Sequence, residues 1–517
     1  MTTRTVKWFN GVIMNPCLRL QPCERSEFES TPKRKLTPTF MHPVSLANSC
    51  LRGFTHYMGL ELWSPVGRKS PTSAPVRSRT PDLHPHETYK PDASSQLSWG
   101  TATMEAKLYN IRLSTVVPGR VTVANTIRRF TNADLAMKHH YIKGVYFFKK
   151  EAAEGLIVFE LKTAMGNLLS LYCTVAGRIR RRLEDNRPFI KCNDSGIRVV
   201  EAESNTTVDE WVEMKCDVRE LAYSGHVLGP DLEFSPLVSI QFTRFKCGGI
   251  SVGLSWSHIL GDALFASTFM NMWSKVIKGE SLSKIPLTVN THNTKLPVQE
   301  KPYSFRGVDL VENIWCNTKN NEMTTFSIHI SPKNVTQIIS STNAKPFEAL
   351  SAIIWKSLAK LRAEIEPKIV TLCAYGFQNN ENKAQGNGHL VSKVSVDFMV
   401  SAAKVADLAE LITNKTLNNS VLIEDFVDRE TKNSDVTFYG ETLTFINLQG
   451  VNIYGFELKG HKPILVNYMM AGVGDEGVVL ILQGPKICNG VLITMTLPTD
   501  EVVGLKDEIK KEWLSYD

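Results

Sequence analysis

Residues 236–262 read PLVSIQFTRFKCGGISVGLSWSHILGD, and this stretch decides the fold of the chain. Two largely apolar segments, 236–242 and 250–256, flank Gly248 and Gly249, which suit the tight turn of a β-hairpin. In the second segment large apolar side chains alternate with Ser and Gly, so one face of the strand is bulky and the other is small. We therefore predict a hairpin whose small face leaves room for another group.

A helix is expected directly after this hairpin. Residues 263–273 place large apolar side chains at helical spacing, and Asp262 stands where a helix N-cap is favoured. His258 therefore lies where a strand gives way to a helix. We expect small neighbours to leave space beside its imidazole, namely Ser255, Ser257 and Gly261.

Other segments indicate a mixed α/β architecture. Apolar residues recur at helical spacing through 157–176, and Gly177 is placed to end that helix. A second helix is predicted through 347–356, and strands are predicted on both sides of it. Because strands and helices mix in both halves of the chain, we predict an α/β fold with two domains of similar size.

Composition divides the 517 residues into four parts. The first part is rich in Pro, Ser and Arg and shows no sustained helical or strand periodicity, so we expect it to be disordered. We interpret it either as a regulatory tail or as an extension that precedes a true translation start at Met104. The predicted boundaries are 1–103 for this extension, 104–281 for the N-terminal domain, 282–311 for a crossover linker, and 312–517 for the C-terminal domain.

The charge distribution argues against nucleic acid as a partner. The formal net charge is +7, yet residues 1–103 alone carry +6, which leaves +1 for the rest of the chain. A nucleic-acid-binding domain is expected to show a concentrated basic surface instead. We therefore predict small-molecule or protein partners.

The chain reads as a cytoplasmic protein. Its ten cysteines are scattered without CxxC pairs, which favours reduced thiols over a secreted disulfide framework. No apolar run approaches the roughly 18 residues that a membrane span requires, and no secretory signal pattern stands at the N-terminus. We expect no transmembrane segment and a monomeric chain.

The candidate chemistry rests on His258 and Asp262. A histidine can accept a proton from an alcohol or amine while that group attacks a thioester, so His258 is the candidate general base. The pattern His-x-x-x-Asp is short, however, and a second interpretation stays open. In that interpretation His258 is a hydrogen-bonded core histidine and Asp262 is a helix N-cap.

Several separated segments resemble the BAHD acyltransferases of plants. The matching segments are 236–249 followed by His258 and Asp262, 161–178 with its Ala-Gly-Arg, and 347–356, so the resemblance spans about residues 104–515. It implies a two-domain fold of the chloramphenicol-acetyltransferase type with a channel at the domain interface. It also implies acyl-CoA as a co-substrate without a permanent cofactor, His258 as the general base, and Asp262 as an orienting residue.

One segment departs from that family. An Asp-Phe-Gly-Trp-Gly signature is expected near residues 452–463, where this chain reads NIYGFELKGHKP. This segment and residues 466–480 resemble the Eceriferum and Glossy subgroup. The subgroup implies promotion of very-long-chain fatty acid elongation for cuticular wax, together with a β-ketoacyl-CoA synthase at the endoplasmic reticulum. Its alternative role is that of a non-catalytic accessory in which His258 is dispensable.

Two further features remain without an assigned role. The run Arg178-Ile179-Arg180-Arg181-Arg182 is a solvated surface in one interpretation, and contacts a CoA phosphate or an acidic membrane face in another. His139 and His140 lack the neighbours of a metal site, so we predict no bound metal. The sequence identifies no residues that contact acyl-CoA.

Overall fold

The computed structural model describes residues 108–213, 218–223, 234–282, 306–308, 323–375, 386–414, 435–439, 443–472 and 477–512. The predicted disorder of residues 1–103 lies outside the described residues, as does most of the predicted linker.

The strands and helices of the described residues alternate along the chain, which confirms the mixed α/β class. The strands are β1 (Leu108–Val116), β2 (Ile127–Arg129), β3 (His140–Phe148), β4 (Arg178–Arg181), β5 (Pro188–Lys191), β6 (Ile197–Ser204), β7 (Val238–Phe245), β8 (Ile250–Ser257), β9 (Arg306–Val308), β10 (Met323–Ile330), β11 (Ile369–Tyr375), β12 (His389–Ser395), β13 (Asp435–Thr437), β14 (Leu443–Asn447), β15 (Leu465–Gly472), β16 (Val478–Gln483) and β17 (Val491–Pro498). The helices are α1 (Asn132–Ala136), α2 (Lys150–Ala153), α3 (Val158–Leu169), α4 (Val208–Glu213), α5 (Ala263–Ile277), α6 (Pro332–Thr342), α7 (Pro346–Leu361), α8 (Val405–Thr413) and α9 (Thr499–Glu512).

Two six-stranded sheets form the frame. The first has the order β1-β6-β7-β8-β3-β15, and the second has the order β10-β17-β16-β14-β11-β12. Strand β15 comes from the second half of the chain, yet it pairs antiparallel with β3 of the first sheet. The chain therefore crosses back to complete its first sheet, while the domain boundaries stay a prediction.

The predicted hairpin is confirmed, and it forms the middle of the first sheet. Strands β7 and β8 pair antiparallel, and every residue of β8 is buried. Room on the small face is taken by protein, because a Cβ atom on Gly253 would lie 1.8 Å from the carbonyl oxygen of Leu221. The small face thus admits a neighbouring backbone segment, which is the group that occupies the predicted room at this position.

The helix predicted over 157–176 is shorter in the structure and ends at Leu169. The N–H groups of Leu171 and Tyr172 both bond to the carbonyl of Leu168, which turns the chain out of the helix. Gly177 therefore does not cap this helix. A Cβ atom on Gly177 would lie 2.7 Å from the carbonyl oxygen of Lys191, so glycine permits the close approach of β4 to β5.

Candidate active site

His258 occupies a single turn between strand β8 and helix α5. The turn spans His258–Leu260 and is closed by a 3.1 Å hydrogen bond from Gly261 N to the carbonyl oxygen of His258. Trp256 Nε1 also donates to the carbonyl of Gly261 at 3.0 Å. The imidazole is held deep inside the protein, because His258 is only 2% exposed.

Gly261 serves close packing and leaves no open space. Its φ angle of 153° lies in the range that L side chains rarely adopt. A Cβ atom there would lie 2.5 Å from Cδ1 of Phe265 and 2.8 Å from the carbonyl oxygen of Gly386. The expectation that Gly261 leaves room beside the imidazole is therefore wrong.

Asp262 joins the first half of the chain to the second. Its Oδ1 accepts a 3.1 Å hydrogen bond from Phe265 N and caps helix α5, as the sequence indicates. Its Oδ2 accepts a 2.9 Å hydrogen bond from Gly388 N. Burial raises the pKa of Asp262 to about 6, although the backbone N–H groups of Gly388 and Phe265 act against this shift.

The loop 386–388 closes over the His258 turn through polar contacts. Asp262 N donates to the carbonyl oxygen of Gly386 at 3.2 Å. Asn387 Nδ2 donates to the carbonyl oxygen of His258 at 3.0 Å and to Oδ1 of Asp134 at 2.9 Å. This loop and Asp262 therefore fix the backbone on which the imidazole stands.

A buried ion pair supports the same turn from the first half. Arg128 Nη2 lies 3.2 Å from Oδ2 of Asp134, and both side chains are almost fully buried. Arg128 Nη1 also donates to the carbonyl oxygen of Leu260 at 2.6 Å. Because these buried charges are paired and hydrogen-bonded, they hold the turn without an uncompensated charge.

The imidazole of His258 contacts the phenol ring of a residue from far along the chain. His258 Nε2 lies 3.1 Å from the Tyr439 hydroxyl, a hydrogen bond in which either group can be the donor. Burial raises the pKa of Tyr439 well above its ordinary value, so this phenol stays protonated. The Tyr439 ring also packs edge-on against His140, with 4.7 Å between ring centroids.

The buried histidines of this cluster are neutral near pH 7. Burial lowers the pKa of His258 to about 4, and the side chains of Asn387 and Asp134 only partly offset this effect. Burial also lowers the pKa of His140, followed by the influence of His258 and His139. A neutral imidazole has a lone pair that can accept a proton, which is the state that a general base requires, although a pKa of about 4 makes it a weaker base than one with a pKa near neutrality.

Sequence reasoning found His258 and Asp262 but missed the groups that contact them. Asn387 and Tyr439 lie 129 and 181 positions from His258, so no local spacing links them. Thr131 and Asp134 do form a capping box at the start of α1, and that local pattern marks a helix end only. Across the described residues, no cluster of three or more metal-ligating side chains is present, and no helix could span a membrane.

Comparisons with known proteins identify the relatives of this chain. Residues 106–375 match the model of the Transferase family. The chain is 37% identical to Protein ECERIFERUM 2 of Arabidopsis thaliana, over 77% of this chain and 97% of that protein. It is 35% identical to Protein ECERIFERUM 26-like of the same plant, over 78% of this chain and 96% of that protein.

Solved structures share the fold at low identity. Vinorine synthase matches with a TM-score of 0.57 and 17% identity, covering 77% of this chain and 96% of that chain. TRI101 of F. graminearum, solved with coenzyme A and deoxynivalenol, matches with a TM-score of 0.58 and 15% identity, covering 76% and 99%. The family model matches more than half of the chain, and the ECERIFERUM relatives align with more than three quarters of it. The chain therefore belongs to the BAHD transferase family.

Proposed function

We propose that this protein promotes the elongation of very-long-chain fatty acyl chains for cuticular wax. The observation that carries the proposal is its similarity to ECERIFERUM proteins over nearly their whole length. The intact His258 turn, followed by helix α5 with Asp262 as its N-cap, supports acyl transfer from acyl-CoA as the chemistry of the site. We further propose a monomer in the cytoplasm at the surface of the endoplasmic reticulum.

In this mechanism His258 is the general base. Its neutral imidazole takes a proton from the hydroxyl or amine of an acceptor while that group attacks the thioester carbon of acyl-CoA. The bond between that carbon and the CoA sulfur then breaks, and the thiolate leaves with the proton that the imidazole returns. Asp262 holds the turn and the start of α5, and touches no reacting atom. The acceptor replaces the Tyr439 hydroxyl at Nε2, because that hydroxyl occupies the nitrogen in this structure.

A second candidate function is favoured by the same hydrogen bond. His258 is 2% exposed, and its Nε2 is engaged by a buried phenol. A protein that only binds an acyl chain or a β-ketoacyl-CoA synthase needs no free base. In that candidate the protein is a non-catalytic accessory that changes the product length of the synthase, and His258 is dispensable.

Yeast that expresses a plant β-ketoacyl-CoA synthase together with this chain separates the two candidates. The variants are His258→Ala, Tyr439→Phe and, as a matched control, His461→Ala, since His461 is exposed. The measurement is the profile of acyl chain lengths, corrected for the amount of each variant that accumulates. Circular dichroism of the purified variants checks that each one folds.

Catalysis at His258 predicts that native protein and His461→Ala lengthen the acyl chains while His258→Ala does not. It also predicts that Tyr439→Phe retains lengthening, because loss of the hydroxyl leaves Nε2 available. Equal lengthening by folded His258→Ala establishes the accessory role instead. Absence of lengthening by the native protein removes the proposed function.

A further inference from the structure

The small sheet β2-β5-β4 presents one buried face and one outward face. Directly opposed residues of an antiparallel sheet lie on the same side. One such row, Ile179–Ile190–Arg128, is almost completely buried. The adjacent rows must therefore lie on the opposite side.

Those outward rows are rich in cations. They run across the three strands as Arg180–Phe189–Arg129 and Arg178–Lys191–Ile127. Four of the six side chains are cationic and none is acidic. Arg129 and Lys191 are exposed, whereas Arg178 is buried against the carbonyl oxygens of Gly177 and Gly196.

The cations of these rows lie close enough to lower the pKa of one of them. The pKa of Arg178 is lowered to about 10, first by burial and then by repulsion from Arg198 and Arg180. Asp185 pairs with Arg182, whereas Asp194 accepts hydrogen bonds from Thr122 N and Oγ1 and keeps its negative charge. The two outward rows themselves contain four cations and no acid, so they carry a net positive charge that attracts an anionic partner.

Exposed apolar side chains border the same rows. The loop that enters β2 presents Val121 and Val123, which are 83% and 79% exposed, and it leads directly to the exposed Ile127. Phe234, also exposed, lies under the Arg180 guanidinium at 4.9 Å from ring centroid to Cζ. Cations beside protruding apolar groups are the combination that binds the interface of an anionic bilayer.

We propose that this surface binds the anionic surface of a membrane. We call it the basic face, defined by Val121, Val123, Ile127, Arg129, Arg180 and Lys191. The cations contact lipid phosphates and carboxylates, while the two valines enter the headgroup region. Nucleic acid fits less well, because its recognition depends on phosphate contacts and gives protruding valines no role.

This inference extends the proposed function, since a protein that assists a membrane-bound elongase must reach the membrane. Its test does not use elongation, so the two can fail separately. Purified full-length protein is sedimented with vesicles of phosphatidylcholine alone and with vesicles that also contain phosphatidylserine. We expect binding to the mixed vesicles and little binding to phosphatidylcholine.

The deciding variant is Arg129→Ala with Lys191→Ala. Each surface cation contributes about a fivefold gain in affinity for an anionic membrane, so the double variant should bind about 25-fold more weakly. The matched control is Lys510→Ala with Lys511→Ala, which removes the same charge from exposed positions in α9. Since residues 1–103 carry a net charge of +6, only this paired comparison isolates the basic face.

A second double variant, Val121→Ser with Val123→Ser, tests insertion. It should bind at low salt and be released at lower salt than the native protein, because only its electrostatic attraction remains. All the substituted side chains are exposed, so the variants should fold normally. The proposal is overturned if native protein ignores phosphatidylserine, or if the Arg129 and Lys191 variant binds like the native protein. Equal weakening by the Lys510 and Lys511 variant also overturns it.

Discussion

Two segments from the second half of the chain dock onto the region of helix α5, and they do so with different chemistry. Loop 386–388 closes the N-terminal end through polar contacts to Asp262 and the His258 turn. Segment 452–457 lies along the side of the helix and brings a large aromatic ring. The comparison shows that one helix is positioned twice, at its N-terminal end by hydrogen bonds and along its side by apolar packing together with hydrogen bonds and an ion pair.

The contact between segment 452–457 and helix α5 centres on Phe456 and Trp273. Phe456 is completely buried and stacks on Trp273, with 5.2 Å between ring centroids and 17° between the ring planes. Ser267 Oγ and Asn271 Nδ2 both donate to the carbonyl oxygen of Asn452 at 2.9 Å. Further hydrogen bonds between Ser274 and Glu457, and an ion pair between Lys278 and Glu457, flank this apolar stack and help to set its register.

This docking changes the meaning of the missing family signature. Segment 452–463 lacks the Asp-Phe-Gly-Trp-Gly pattern, a departure that favours the accessory role when the sequence is considered alone. In the structure, Phe456 and the Asn452 carbonyl still fasten the segment to α5. In this chain residues outside that signature hold the segment on α5, so the departure is weak evidence against acyl transfer.

Removing the apolar contact should have the largest effect on stability. Phe456→Ala should lower the free energy of unfolding by about 3–5 kcal/mol, the usual cost of deleting a buried phenylalanine side chain. Because no ionisable group is lost, the cost should be the same at pH 5 and at pH 8. Urea unfolding at both pH values measures it.

Phe159→Ala is the matched control for that experiment, since Phe159 is 54% exposed. It should change the free energy of unfolding by less than about 0.5 kcal/mol. A Phe456→Ala variant as stable as this control would show that segment 452–457 is not held by its aromatic ring.

The stability of the region around the His258 turn, unlike that of the Phe456 stack, should depend on pH, because the imidazole of His258 titrates. Its pKa is about 4 in the folded protein, against an ordinary value of 6.5, so between these values the unfolded chain binds more protons. Its contribution to stability is therefore complete above pH 6.5 and is lost as the pH falls toward 4. The loss amounts to about 3 kcal/mol.

Asp262 acts in the opposite direction over an overlapping range. Its folded pKa of about 6 exceeds the ordinary 3.8, so its contribution to stability falls as the pH rises from about 4 to 6. The two groups offset each other in the native protein. The informative quantity is the unfolding free energy of native protein minus that of His258→Ala, which should grow by about 3 kcal/mol from pH 4 to 6.5.

The exposed His461, substituted by Ala, provides the reference for this comparison. If the His258→Ala difference does not change with pH, the imidazole is not held neutral by burial. In that case the pKa of His258 lies nearer its ordinary value, where the imidazole is a stronger base.

The sequence predicts the parts of this comparison that depend on local patterns. Alternation in 250–257 predicts strand β8, and Asp262 before an apolar helical run predicts the N-cap, because both signals lie within one element. The length of α3 is predicted wrongly, since the apolar spacing continues past Leu169 although hydrogen-bonded turns end the helix there. Tyr439 and Asn387 escape prediction because the fold alone brings them to His258.

The smallest expected effect on stability belongs to Asn387→Ala, which removes hydrogen bonds of loop 386–388 and leaves the His258 side chain in place. Two hydrogen bonds from Nδ2 are lost, and each contributes about 1 kcal/mol, so the free energy of unfolding should fall by about 2 kcal/mol or less. The Asn387 side chain also favours the protonated imidazole, so its removal should move the pKa of His258 still lower. Urea unfolding from pH 4 to 7 measures both changes, with the exposed Asn414→Ala as the control. A loss of unfolding free energy no larger than that of Asn414→Ala would mean that loop 386–388 contacts the His258 turn without stabilising it. Segment 452–457 would then be the contact that positions α5.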